Sequence, residues 1–134
     1  MISYINIKNI ALIRELTLEL KNGLNVLSGE TGAGKSIIID SINFVLGDRA
    51  DRSLIRHGET TARVEVVFDN IKDKTELCAT LDEYGIEYDD DMLIINRLMT
   101  ADKSECRVNG HIVNLVVLRN IVSLLVDIHS QNEH

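Results

Sequence analysis

Proline and tryptophan are absent from this 134-residue chain, and aromatic residues make up 4 % of it. Without proline no rigid breaker marks a domain boundary. The length suits one domain at most, with enough chain to bury a core. Cysteine is nearly absent too. Cys78 and Cys106 stand alone, with no CxxC and no Cys/His spacing. That excludes a disulfide framework or a cysteine-based zinc site and fits a reducing cytoplasm. No apolar run approaches the ~20 residues of a membrane-spanning helix, so no membrane partner is expected. The opening "MISYINIKNI" lacks the basic-then-apolar order of a secretory signal. No internal repeat or low-complexity linker is visible.

Positive charge is also in deficit. Fourteen Lys and Arg face 21 Asp and Glu, a net charge of −7. A free-standing nucleic-acid-binding module would have clustered cations instead. The acidity is local: from Asp69 to Asp91 nine acidic residues face two lysines, which reads as a solvated face. The basic residues Arg49, Arg52, Arg56 and His57 gather elsewhere, where they could face a phosphate, a nucleic acid or simply solvent.

What is present is a clear order of elements. "ISYINIKN" and "LIRELTLEL" alternate as strands, and "LNVLSG" is a short apolar strand after an Asn22-Gly23 turn. From Gly34 the period changes to that of a helix, with Ile38, Ile39, Ile42, Val45 and Leu46 as its apolar stripe and Gly47 as its end. "ARVEVVFDN" reads as a strand with Val64, Val66 and Phe68 on one side. "KTELCATLDEYG" reads as a short helix closed by Gly85. "MLIINRLM" and "ECRVNGHIV" read as strands, the second entering a tight Asn109-Gly110 turn. The length of "LVVLRNIVSLL" favours a helix, and "LVDIHSQNEH" reads as a buried strand running into a polar loop.

Between the third strand and the first helix lies Gly29-Glu30-Thr31-Gly32-Ala33-Gly34-Lys35-Ser36, which satisfies G-x-x-x-x-G-K-[ST] at every required position. The residue types follow from the chemistry. Several backbone N–H groups must point at one anion, and glycine permits that close approach and the positive φ it needs. The helix that follows offers free N–H groups and the positive end of its dipole. Lys35 supplies a point charge for the outer phosphates. Ser36 offers a hydroxyl to Mg²⁺. The expected cofactors are ATP and Mg²⁺.

Splitting the nucleotide needs a metal carboxylate and a group to position water. Asp69, after "VEVVF", and Asp127, after "SLLV", fit a metal carboxylate loosely, and neither is followed by a glutamate. A complete small P-loop kinase or NTPase using Asp127 is therefore one reading. "DEYG" at Asp82–Gly85 resembles a GTPase motif but ends an amphipathic helix instead of following a buried strand. Gln131, after the last expected strand, could place an amide oxygen on Mg²⁺ or on the attacking water. His129 and His134 lack an evident third metal ligand. A non-catalytic module that keeps the loop for structure is a further reading.

The segment from Ile2 to Gly58, with "GETGAGKS", "GDRAD" and "IRHG", and the closing "VDIHSQNEH" together resemble the N-terminal ATPase lobe of the SMC-like family, in particular its bacterial DNA repair members. The resemblance implies an α/β fold, the N-terminal lobe of an ABC/SMC-type P-loop NTPase head, with a mixed β-sheet and the phosphate-loop helix over residues 1–134. It makes Lys35 and Gln131 catalytic, Gly29–Ser36 nucleotide-binding, and Ser36 and Gln131 metal ligands. It reduces Asp127 to a strand-end residue. It places Arg49 or Arg52, and Asn9, near the nucleotide. The implied partners are a C-terminal lobe of the same protein, a second identical head and, through the full-length protein, DNA. The implied location is the cytoplasm, at the nucleoid. No L-S-G-G signature and no apolar run ending in Asp-Glu occurs in these residues, so the expectation is a piece of a longer protein, unable to hydrolyse ATP alone.

Overall fold

The computed structural model describes residues 2–20 and 32–132, the side chains of residues 32–33 and 126–132 excepted. Strands β1 (Ile2–Ile10) and β2 (Ile13–Glu19) form a hairpin, followed by helix α1 (Gly32–Val45). Then come β3 (Thr61–Asp69), α2 (Thr75–Tyr84), β4 (Met92–Thr100), β5 (Ser104–Val108), β6 (His111–Val113) and α3 (Leu115–Asn132). The strands form one sheet in the order β2-β1-β3-β4-β5-β6. Every described pairing is antiparallel. The strand expected over "LNVLSG" and the Asn22-Gly23 turn lie outside the described residues.

Period-2 alternation sets the face of each strand. Ile5 and Ile7 on β1 register with Val66 and Val64 on β3, and these with Ile95 and Arg97 on β4. That row is buried, and α1 packs on it across β1, β3 and β4. Ile38, Ile42, Phe44 and Val45 are the buried apolar residues of α1, each worth about 1.5–3 kcal/mol when removed from water. The expected stripe was set slightly off in rotation. Ile39 is 42 % exposed, while Ser41 and Phe44 turn inward. Ser41 is accommodated because its hydroxyl donates to the Ile37 carbonyl at 2.9 Å.

Local chemistry ends the elements where the composition suggests. Gly85 is left-handed (φ 73°) and donates to Asp82 O, while the N–H of Ile86 donates to Leu81 O. Ile86 and Leu81 are both buried, which completes a Schellman closure of α2. Asn114 caps α3, its side-chain oxygen accepting from the Val117 N–H at 2.8 Å. Asn109 and Gly110 both have positive φ (48° and 87°) and form the tight turn from β5 to β6.

One expectation fails. The strand expected over "LVDIHSQNEH" is not formed, because α3 runs on to Asn132, and the last two residues of that segment lie outside the described residues. Nothing from Leu115 onward breaks a helix: there is no glycine or proline, and Leu118, Ile121, Val122 and Leu125 keep helical spacing and are buried. Asp127, His129 and Gln131 therefore lie within a helix, and Asp127 is not a strand-end residue. Among the described residues no helix is long and apolar enough to cross a membrane.

Candidate nucleotide site

Of the glycine-rich segment, Gly29, Glu30 and Thr31 lie outside the described residues. Gly32 begins α1. Ala33 lies in its first turn, followed by Gly34, Lys35 and Ser36. The Lys35 and Ser36 side chains are exposed. The first N–H groups of any helix lack internal acceptors. Here the first turn carries no acidic residue that would oppose an anion. An exposed cation, an exposed hydroxyl and the opening turn of a helix are a set that fits a Mg²⁺-bound triphosphate.

The far end of α1 holds the residues that sequence reasoning missed. Arg97 on β4 is 1 % exposed. Its Nη1 donates to the carbonyls of Phe44 and Asp48, both at 2.6 Å. Its guanidinium sits 4.2 Å from the centre of the Phe44 ring. Burial pushes the guanidinium pKa below its ordinary value. Arg119 on α3 adds a second contact, its Nε donating to Gly47 O at 2.8 Å. Gly47 itself has φ 125°, a conformation that requires glycine. The signal for Arg97 was available: Leu93, Ile95, Arg97 and Met99 alternate, so position 97 falls on the core row.

The basic loop is braced and partly committed. The N–H of Arg56 donates to Asn9 O at 2.9 Å, and that of Ala11 to Leu54 O at 2.7 Å. Arg56 Nη1 donates to Leu12 O at 3.0 Å, and Arg52 Nε to Thr100 O at 3.0 Å. Asn9 and Ala11 are left-handed (φ 58° and 51°) at the hairpin tip these bonds hold. Arg49 and His57 are exposed. Asp51 starts a single 3-10 turn (Arg52–Leu54), and two hydrogen bonds from Ser53 hold its carboxyl below the usual range. Asp69 ends β3, and Asp82–Gly85 closes α2. Gln131, Asp127 and His129 share the last turns of α3. His134 lies outside the described residues. Among the described residues no group of three potential metal-ligating side chains assembles.

A family model described as an AAA domain matches residues 4–131. The chain belongs to the AAA domain family. Within reach of this AAA domain are curated relatives that match it throughout. It is 43 % identical over 135 residues to DNA repair protein RecN of Bacillus subtilis (strain 168), covering all of this chain and 23 % of that protein. It is 45 % identical to RecN of Halalkalibacterium halodurans, covering all of this chain and 24 % of that protein. The chain thus spans about a quarter of the length of these relatives. Among solved structures, an SMC ATPase studied for ATP-driven dimerization and DNA-stimulated activation superposes with a TM-score of 0.68 at 23 % identity, over 92 % of this chain and 78 % of that one. The recombination mediator RecF superposes with a TM-score of 0.60 at 16 % identity, over 88 % of this chain and 29 % of that one. The fold of this AAA domain is that of an SMC/RecF ATPase head, as the sequence resemblance implied. The reading as a complete small kinase built on Asp127 is not favoured. Asp127 falls within helix α3 and not at a strand end, and the relatives are repair proteins.

Proposed function

We propose that this chain is the N-terminal ATP-binding lobe of a RecN-like DNA repair ATPase that acts in double-strand break repair and recombination. The observation that carries the reading is the G-x-x-x-x-G-K-S segment opening a helix laid on the sheet of an SMC/RecF-type head. Gly29–Ser36 wrap the phosphates, Lys35 neutralises the outer ones, and Ser36 and Gln131 hold the metal. Bound Mg²⁺ would offset phosphate charge in the transition state. This chain's own residues bind and orient the nucleotide. The signature segment and catalytic acid pair belong to a C-terminal lobe and to a second, identical head, and DNA is engaged by the full-length protein in the cytoplasm, at the nucleoid.

Thermal melting with and without Mg·ATP tests this. At 100 times the dissociation constant, the nucleotide adds about 2.7 kcal/mol of stability. Lys35→Ala should abolish the shift. The isolated chain should not turn ATP over, whereas the full-length protein should, with a large loss on Gln131→Ala. Absence of any nucleotide-dependent shift in the full-length protein would contradict the reading.

A further inference from the structure

We propose that Arg97 is a positioning residue for the phosphate-loop helix, fixing the register of α1 from its C-terminal end so that the amides at its N-terminal end meet the phosphates. The inference rests on the nucleotide reading above. Ile38, Ile42, Phe44 and Val45 hold α1 to the sheet through apolar contacts, which are non-directional and tolerate small slips along or around the helix axis. A phosphate site demands placement within about 0.5 Å. Directional contacts sit at the other end of the helix. Arg97 Nη1 bonds the Phe44 and Asp48 carbonyls at 2.6 Å, and Nη2 reaches Ser104 Oγ at 3.4 Å. The guanidinium also covers the Phe44 ring. Arg97 is itself held mid-sheet, registered between Val64 on β3 and Cys106 on β5.

The choice of residue supports a positional role. Its neighbours in the row, Leu93, Ile95 and Met99, are apolar, and a buried guanidinium is costly beside such a residue. Among the described residues Arg97 has no carboxylate partner within salt-bridge distance. Its charge is directed at the carbonyl end of α1, where a cation is favoured. Arg119 binds the next carbonyl, Gly47 O, from α3. Two guanidiniums on separate elements thus grip one helix end. The 14 residues of α1 form a rod about 21 Å long, which carries any slip at that end to the phosphate loop.

The test measures the dissociation constant of a fluorescent ATP analogue with Mg²⁺ in the full-length protein. Each variant is held at a temperature where circular dichroism reports it folded. Arg97→Lys, which keeps the charge but cannot fork to two carbonyls while stacking on a ring, should weaken binding about tenfold. Arg119→Ala should weaken it about threefold. Leu81→Ala, a core change in α2 chosen to cost at least as much stability, should leave affinity unchanged. Lys35→Ala should abolish binding. Failure of the unaltered protein to bind would sink the nucleotide reading, and this one with it. Normal binding by both arginine variants, with Lys35→Ala inactive, would overturn the positioning role alone. Equal weakening by Leu81→Ala would do the same, because affinity would then follow stability. If Arg97→Lys fails to fold, Arg119→Ala decides: weakened binding supports the role and unchanged binding overturns it.

Discussion

Replacing Arg97 by methionine removes the guanidinium while keeping most of the volume, so it isolates the polar balance of the buried site. On one side stand the carbonyls of Phe44 and Asp48, which Arg97 holds at 2.6 Å. The Phe44 carbonyl would keep the Gly47 N–H at 3.2 Å and Asp48 is exposed, so the cost is that of two lost charge-assisted bonds, about 1.5–3 kcal/mol each. The contact with the Phe44 ring adds up to about 2 kcal/mol when desolvated. On the other side, the variant no longer buries a charge, which relieves a penalty of several kcal/mol. The lowered guanidinium pKa has the same origin. The two lost bonds and the ring contact outweigh the relieved burial, for a net loss of about 2–3 kcal/mol for Arg97→Met. Arg97→Ala should lose about 2 kcal/mol more, because it also leaves a cavity against Phe44. Urea unfolding monitored by circular dichroism measures both, with an unchanged slope identifying a true stability change. A methionine variant as stable as the original would refute the reasoning, since the end of α1 would then not depend on the guanidinium.

Asn109→Ala removes the acceptor for the Ile94 N–H at 2.7 Å and the donor to Glu87 O at 2.6 Å, at a position with φ 48°. A loss of about 2–3 kcal/mol in urea unfolding is expected. Gly85→Ala meets no atom within 4 Å of the new Cβ, so it should cost about 1 kcal/mol, from the left-handed backbone alone. Burial pushes the Cys106 thiol up, with Arg97 opposing. The folded state therefore holds that proton more tightly than the unfolded chain does. Its contribution is intact below the ordinary thiol value of about 8.5 and is lost as pH rises past it. Cys106→Ala should flatten the fall in stability above about pH 8.5, and a thiol reagent should label half-buried Cys78 well before Cys106.

Much of this was legible in the sequence. The strands declared themselves because one face of each is buried, so Val64, Val66 and Phe68 had to alternate with residues on the other face. Gly85 and the Asn109-Gly110 pair marked their turns because each adopts positive φ. The course of α3 beyond Leu125 was misread, since "LVDI" has the apolar character of a strand, and only the absence of a breaker favoured continuation. Ile39 was placed on the buried stripe because hydropathy does not fix rotation to within one residue. Arg97 was overlooked because its charge argued for the surface, while its position in the alternation argued for the core. Of the nucleotide site, Gly34, Lys35 and Ser36 fall on α1 as expected, and Gly29–Thr31 are supported by the sequence pattern alone.

The strand order has a bearing on biosynthesis. β3, β4, β5 and β6 pair with their neighbours in succession, but β1 must wait for β3, with Ile7 and Val64 about 57 residues apart. At 5–20 residues per second, the first hairpin leaves the ribosome roughly 3–11 s before the strand that will hold it. Throughout that interval Ile5, Ile7 and Ile10 have no cover from β3. A nascent chain stalled before Thr61 would therefore present a sticky two-stranded ribbon, in need of a chaperone and a hazard when translation slows.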